Sequence, residues 1–356
     1  MFGGLAYKQP IPRDLSERER SILRSIVQMY VLTANPVGSR HLSKYLEETK
    51  KLSPATIRNV MSDLEDLEFI SHPHTSAGRV PTDKGYRLYV DSLMPPGVLP
   101  QLEAENIREN LLHHPTDSVL REASKILGSL SRYLSVVELP HLFDLIIRRL
   151  QLVELSSTRI LVVLDLDSNI VRTVTLEAEL HIGSDTLQTL AQFLNERIAG
   201  RALSFVRENF SALVQDSGQI HWEFVRLFSE SLDALFSRYA VPEERLHITG
   251  AQNLFSQPEF VSPERIRGVI ELAENHDVII HLFDKLDAVS RPVSIAIGQE
   301  LGDVTLNDYS IVTATYTLGK ASAAIGVIGP KRMNYSRIVS ILACVSESLS
   351  SRGSAS

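Results

Sequence analysis

One cysteine in 356 residues excludes an internal disulfide, and because Cys344 sits in the apolar run "IVSILACV" it is expected to be a buried core thiol rather than a nucleophile. No apolar run reaches the roughly 18 residues needed to cross a bilayer. The opening "MFGGLAYKQPIPRD" lacks the charged-then-apolar layout of a signal peptide, so the cytoplasm is the expected location. A G-x-S-x-G elbow is absent, and "TLGKASAAIG" has neither the residue order nor the strand-to-helix context of a phosphate loop. The "DLD" at 165–167 lies at a strand end beside a turn, where solvated charge is the commoner explanation. There is no internal repeat, and low complexity is confined to a short Ser/Gly tail.

What is present is an ordinary globular composition, 44% hydrophobic and 22% charged, on a chain long enough for two or three domains. The net charge of -7 is unevenly spread. Residues 1–94 carry 13 Lys and Arg against 11 Asp and Glu, which leaves 23 against 32 for the remainder. A slightly basic head on an acidic body is compatible with DNA binding by the head, because phosphate contacts respond to local charge.

The head reads as helices. In "LSERERSILRSIVQMYVL", Ser16 and Glu19 form a capping box, and Ile22, Leu23, Ile26, Val27 and Tyr30 follow along one face. "TANPVGS" breaks that helix, and "SRHLSKYLEE" makes a short second one with Leu42, Tyr45 and Leu46 facing inward. Ser53 and Pro54 start a third, whose apolar stripe is Ile57, Val60, Met61, Leu64 and Leu67. Its opposite face is Ala55, Asn59, Ser62 and Asp66, flanked by Thr56 and Arg58. Acidic Asp63, Glu65, Asp66 and Glu68 crowd its C-terminal half, so it would enter a major groove by its N-terminal end. Two helices around a short turn make a helix-turn-helix candidate, or a plain three-helix packing unit.

The next stretch favours the first. "FISHPH" leads out, "TSAG" turns and "RVP" returns, a hairpin where a winged helix carries its wing. Its tip would present His74, Thr75, Ser76 and Arg79 to DNA, and Thr82 would cap a fourth helix burying Tyr86, Tyr89, Val90 and Leu93. His72 and His74 share a strand face, but with no nearby Cys and no further ligand, even counting His113 and His114, no metal site is expected.

Past the linker "MPPGVLP", residues Leu120, Ala123, Leu127, Leu130 and Leu134 form a short helical core stripe. From Arg148 the period changes to three strands, the middle one central in its sheet. Residues 184–240 are mostly amphipathic helix, "RLHITGAQ" is a candidate strand, and Ser262 caps another helix. Three strands and a closing helix end the chain, so an α+β sheet domain interrupted by an insertion is expected.

Three stretches resemble one family. "NPVGSRHLSKYL…LSPATIRNVMSDLEDLEFISHPHTSAGRVPTDKGYRLYVDSL", "IAIGQE…YSIVTATY" and "GVIGPKRMNY" are similar to the HrcA family of heat-inducible transcription repressors, over nearly the whole chain. The chain departs from the family's pattern at Leu301, where Asn is usual, and at Lys331, where Thr is usual; both lie outside the head. The resemblance implies a winged helix-turn-helix at 1–94, a GAF-like domain in two segments, 101–183 and 277–356, and a dimerising domain inserted at 184–276. It further implies a homodimer on an inverted-repeat operator upstream of chaperone genes, activity that depends on the GroEL chaperonin, and repression that lapses on heating. No cofactor and no catalytic activity are implied. Thr56, Arg58, Asn59 and Ser62 are expected at base edges or adjacent phosphates, Ser39, Arg40, Lys50 and Lys51 on the backbone, and His74, Thr75, Ser76 and Arg79 in the wing contacts. The rival reading is a regulator whose GAF-like domain senses a small molecule.

Overall fold

A computed structural model describes residues 15–46, 52–73, 78–114, 116–140, 145–167, 171–177, 183–214, 245–287, 292–318 and 321–354. The head opens with α1 (Glu17–Thr33), α2 (Ser39–Leu46) and α3 (Pro54–Asp66). Each start follows from its sequence. Ser16 and Glu19 exchange capping-box hydrogen bonds, and the Ser53 hydroxyl accepts from the Thr56 N–H ahead of Pro54. Helix α1 stops where Ala34 turns left-handed and sends its N–H back to the Tyr30 carbonyl. The first three helices turn the stripes read from spacing inward, with Tyr30 and Leu67 only half-buried and Tyr45 pointing out. Tyr45 is 48% exposed rather than inward, because Leu42 and Leu46 already fill the single inward stripe of an eight-residue helix.

After α3 a minimal hairpin follows, β1 (Ile70–Ser71) against β2 (Val80–Pro81), in register Ile70↔Pro81 and Ser71↔Val80. The Thr82 side chain then caps α4 (Asp83–Leu88), which runs through a π-helical turn to Leu93 and buries Tyr86, Tyr89 and Val90. Tyr86 is fully buried, its phenol is pushed well above its usual range by that burial, and its hydroxyl has no hydrogen-bond partner among the described residues. An unpaired buried polar group costs about 1–3 kcal/mol. Tyr86→Phe should therefore raise the thermal midpoint; a lowered midpoint in a calorimetric scan would show that the hydroxyl is satisfied.

The body is built on a five-stranded antiparallel sheet. Helices α5 (Gln101–His113) and α6 (Thr116–Ser131) lead into β3 (Leu134–Glu138). Leu134, expected at the end of the α6 stripe, starts this strand instead, because Arg132 adopts a left-handed φ of 60° and breaks the helix. The chain then leaves that sheet for a second one, β4 (Ile147–Ser156), β5 (Arg159–Leu166) and β6 (Val171–Glu177), with β5 in the middle, followed by α7 (Ser184–Ile198) and α8 (Leu203–Leu213). It returns through β7 (Leu246–Thr249), α9 (Ala251–Phe255), α10 (Pro263–Glu274) and α11 (His276–Asp287). Strands β8 (Val293–Ile297), β9 (Tyr309–Leu318) and β10 (Ala321–Pro330) and helix α12 (Tyr335–Ser354) complete the body. The strand order is β7-β3-β10-β9-β8.

The expected insertion at 184–276 overlaps both this sheet and a second unit. Among the described residues, strands β4–β6 share no strand pairing with the five-stranded sheet, and they pack with α7 and α8 around a separate core that includes Leu150, Val162, Leu164, Leu190 and Phe210. Leu254, Phe260, Val269 and Leu272, all within 184–276, belong to the body's core. In chain order the described elements between β3 and β7 are β4–β6, α7 and α8. A strand's sheet membership depends on long-range pairing, which the alternation of its own side chains does not encode.

The five-stranded sheet is covered on both faces. Ser310 and Thr313 stand an odd number of residues apart on β9 and so point to opposite faces. The Tyr335 hydroxyl donates to the Ser310 hydroxyl at 2.9 Å from α12, while Phe283 of α11 lies over Thr313 and Gly326. Cys344 is buried, and that burial raises its thiol's pKa.

Candidate nucleic-acid interface

Helix α3 turns its apolar stripe inward and leaves Ala55, Arg58, Asn59, Ser62, Asp63 and Asp66 exposed. Thr56 is half-buried, and its hydroxyl lies 2.9 Å from that of Ser53, so its first commitment is to the cap. Arg58 is exposed and makes no ion pair among the described residues. Glu65, the acid nearest to it in helical spacing, is engaged elsewhere. Its carboxylate takes Arg79 Nη2 at 2.7 Å and pairs with His72 Nδ1, while Arg79 Nη1 meets His72 Nε2. A guanidinium can only donate, so in this arrangement Nε2 accepts and Nδ1 donates to Glu65.

This cluster answers what the wing's histidine and arginine do. Arg79 sits at the base of the hairpin rather than at its tip: its backbone bridges to Val37, N–H to carbonyl at 2.9 Å and carbonyl to N–H at 2.8 Å. Gly78 beside it passes so close that a Cβ would stand 2.5 Å from the Val37 carbonyl carbon, which is why the turn ends in glycine. The wing base is thus pinned to α3 by Glu65 and to the α1–α2 turn by Val37. Spacings of seven across a helix, a strand end and a hairpin carry no periodic signal, so only the structure brings Glu65, His72 and Arg79 together.

On α2, Ser39 is half-buried at the first position and Arg40 is exposed. His41 and Lys44, not singled out from the sequence, are exposed beside it, and Lys44 follows Arg40 by four residues on the same helical stripe. Among the described residues, Arg40, Lys44 and Arg58 are exposed cations of α2 and α3. Lys50, Lys51, His74, Thr75 and Ser76 lie outside the described residues.

Residues 14–92 match the HrcA winged helix-turn-helix DNA-binding model and residues 117–339 the HrcA C-terminal domain model. A heat-inducible transcription repressor HrcA from Chlorobium phaeobacteroides (strain BS1) is 41% identical over 348 residues, covering 95% of this chain and 98% of its own. The chain belongs to the HrcA family of heat-inducible transcription repressors.

Other HrcA repressors align over similar lengths. The one from Chlorobaculum tepidum is 40% identical, covering 95% of this chain and 98% of its own, and the one from Geobacter sulfurreducens is 36% identical, covering 92% and 95%. A crystal structure described as that of a hypothetical protein superposes with a TM-score of 0.64 at 25% identity, over 96% of this chain and 99% of that one. HrcA proteins are repressors and not an enzyme class, and the head of this chain is its winged-helix DNA-binding domain. No helix among the described residues is long and apolar enough to cross a membrane.

Proposed function

We propose that this HrcA chain represses chaperone genes in the cytoplasm by binding an inverted-repeat operator as a homodimer, with activity dependent on the GroEL chaperonin and lost on heating. The observation that carries the reading is the outer face of α3, where Arg58 and Asn59 are exposed ahead of the acidic end and beside a wing pinned at its base. Arg58, Asn59 and Ser62 are the base-edge readers, with Thr56 at the rim. Ser39, Arg40, Lys50 and Lys51 grip the backbone, and His74, Thr75 and Ser76 form the wing contact. Arg79 acts behind the wing by holding it.

A single recognition helix touches only a few base pairs, so two heads on a repeat are needed for specificity. The dimerising surface is placed on the unit between β3 and β7, with the body as the GAF-like domain. The outer face of the three-stranded sheet supports this, since Val153 and Val171 are 43% and 46% exposed, with Leu161 and Val163 half-buried between them. The ligand-sensing alternative has less behind it, because side chains pack both faces of the body's sheet among the described residues.

The test is binding of the purified full-length protein to an inverted-repeat duplex and to random duplex, across salt, with and without chaperonin. Preference for the repeat that grows with chaperonin is the expected result. Equal affinity for both duplexes at every salt concentration would sink the repressor reading.

A further inference from the structure

One face of α4 carries a dense set of contacts between the head and the body. Asp83 and Arg87 stand four residues apart, so both project from the same side of that helix. Lys331 Nζ donates to Asp83 Oδ1 at 2.7 Å, and the Gln299 N–H donates to Asp83 Oδ2 at 3.1 Å. Arg87 Nε donates to Glu300 Oε1 at 2.8 Å, and its Nη2 donates to the Ile295 carbonyl at 2.8 Å and to Glu300 Oε2. Glu300 is held from behind, accepting the Ile297 N–H at 2.9 Å.

The loop that supplies these partners is shaped to the head. Gly298 has a φ of +52°, and a Cβ there would fall 2.2 Å from Asp83 Oδ2, so only glycine allows this approach. Next to the ion pairs the Tyr86 and Tyr335 rings meet edge-on with centroids 6.2 Å apart. Arg332 pairs with Glu259 and donates to Gln257 Oε1 at 2.9 Å, and its Nη1 reaches the Val31 carbonyl of α1 at 3.4 Å. Lys331, where the chain departs from the family's pattern, falls in this joint, and Leu301, the other departure, is buried next to Glu300.

A joint of this kind resists rotation. The Arg87 side chain is only 13% exposed, and swinging it away would take the charged partner from a partly buried Glu300 carboxylate, leaving it the Ile297 N–H. If the protein reads a paired repeat, as proposed above and as this inference requires, the angle of each head on its body decides which half-site separation fits. One added base pair turns the second half-site by about a tenth of a turn and moves it about 3.4 Å. We infer that the Asp83–Lys331 and Arg87–Glu300 pairs are positioning contacts that set the half-site spacing the dimer accepts, without reading any base.

The test uses the full-length protein and a paired-repeat duplex recovered by selection from a randomised pool, its spacer then lengthened and shortened one base pair at a time. Wild type should lose about tenfold or more per base pair of altered spacing, while Glu300→Gln combined with Lys331→Gln should vary by no more than about threefold across the series. Affinity of that variant for a single half-site should match wild type, a readout that general unfolding would not preserve. Lys331→Arg, which keeps the pair with Asp83, should retain the wild-type profile. A sharp spacing preference that survives unchanged in the double variant overturns the inference alone. A wild type that recovers no paired repeat overturns the dimer reading, and this inference with it.

Discussion

Arg58→Ala should weaken binding to the paired repeat by roughly thirtyfold to ten-thousandfold while leaving the thermal midpoint where it was. Arg58 is exposed on α3 and makes no ion pair among the described residues, so its truncation removes no contact that holds the head together. A bidentate contact to a base edge is worth about 1–3 kcal/mol, and a dimer loses it twice. At about 1.4 kcal/mol per factor of ten, the two losses give the stated range. Should Arg58 grip phosphate instead, the loss would be similar for every sequence, and the salt slope would fall by about one for each head. Fluorescence anisotropy against selected and random duplexes over a salt series separates the two. An Arg58→Ala protein that binds the selected duplex like wild type would remove α3 from the interface.

Much of the head is legible without coordinates because its signals are local. Ser16 with Glu19, Ser53 with Pro54, and Thr82 each announce a helix start within four residues, and each caps in the structure as its sequence implies. Buried stripes at helical spacing likewise place Ile22, Leu42, Ile57 and Leu64 in the core. What spacing could not supply is pairing between distant segments. Arg79, expected among the wing contacts, is committed to Glu65 fourteen residues earlier and to the backbone of Val37. Asp83 and Arg87 offered no hint from their own helix that partners lay beyond residue 290. The two sheets show the same limit: β4, β5 and β6 alternate as strands do, but whether they extend the body's sheet or form one of their own depends on which edge they meet. Leu134 shows a related limit, since an apolar residue on a helical spacing fits equally well as the first residue of a buried strand.

Glu138 of β3 pairs with Leu246 of β7 in antiparallel register, and the Leu139 N–H donates to the Arg245 carbonyl at 2.7 Å. The two ends of the intervening unit therefore already lie side by side as the legs of a hairpin. Replacing residues 140–244 with Asn-Gly should close β3 and β7 through a tight turn whose twist matches the strands. The core shared by the head and body residues would remain, because the removed unit packs around its own cluster, which among the described residues only Ala321 of the body joins. The expected product melts cooperatively, runs as a monomer in light scattering, and binds the paired repeat no better than a single half-site. That corresponds to a loss of about a hundredfold to ten-thousandfold once the second head is no longer tethered. Removing 184–276 instead should give an unfolded protein, since it takes β7 from the edge of the sheet and Leu254, Phe260, Val269 and Leu272 from the body's core. If the 140–244 replacement folds and stays dimeric, the dimer contact belongs to the head or the body, and the exposed face of the three-stranded sheet must serve something other than self-association.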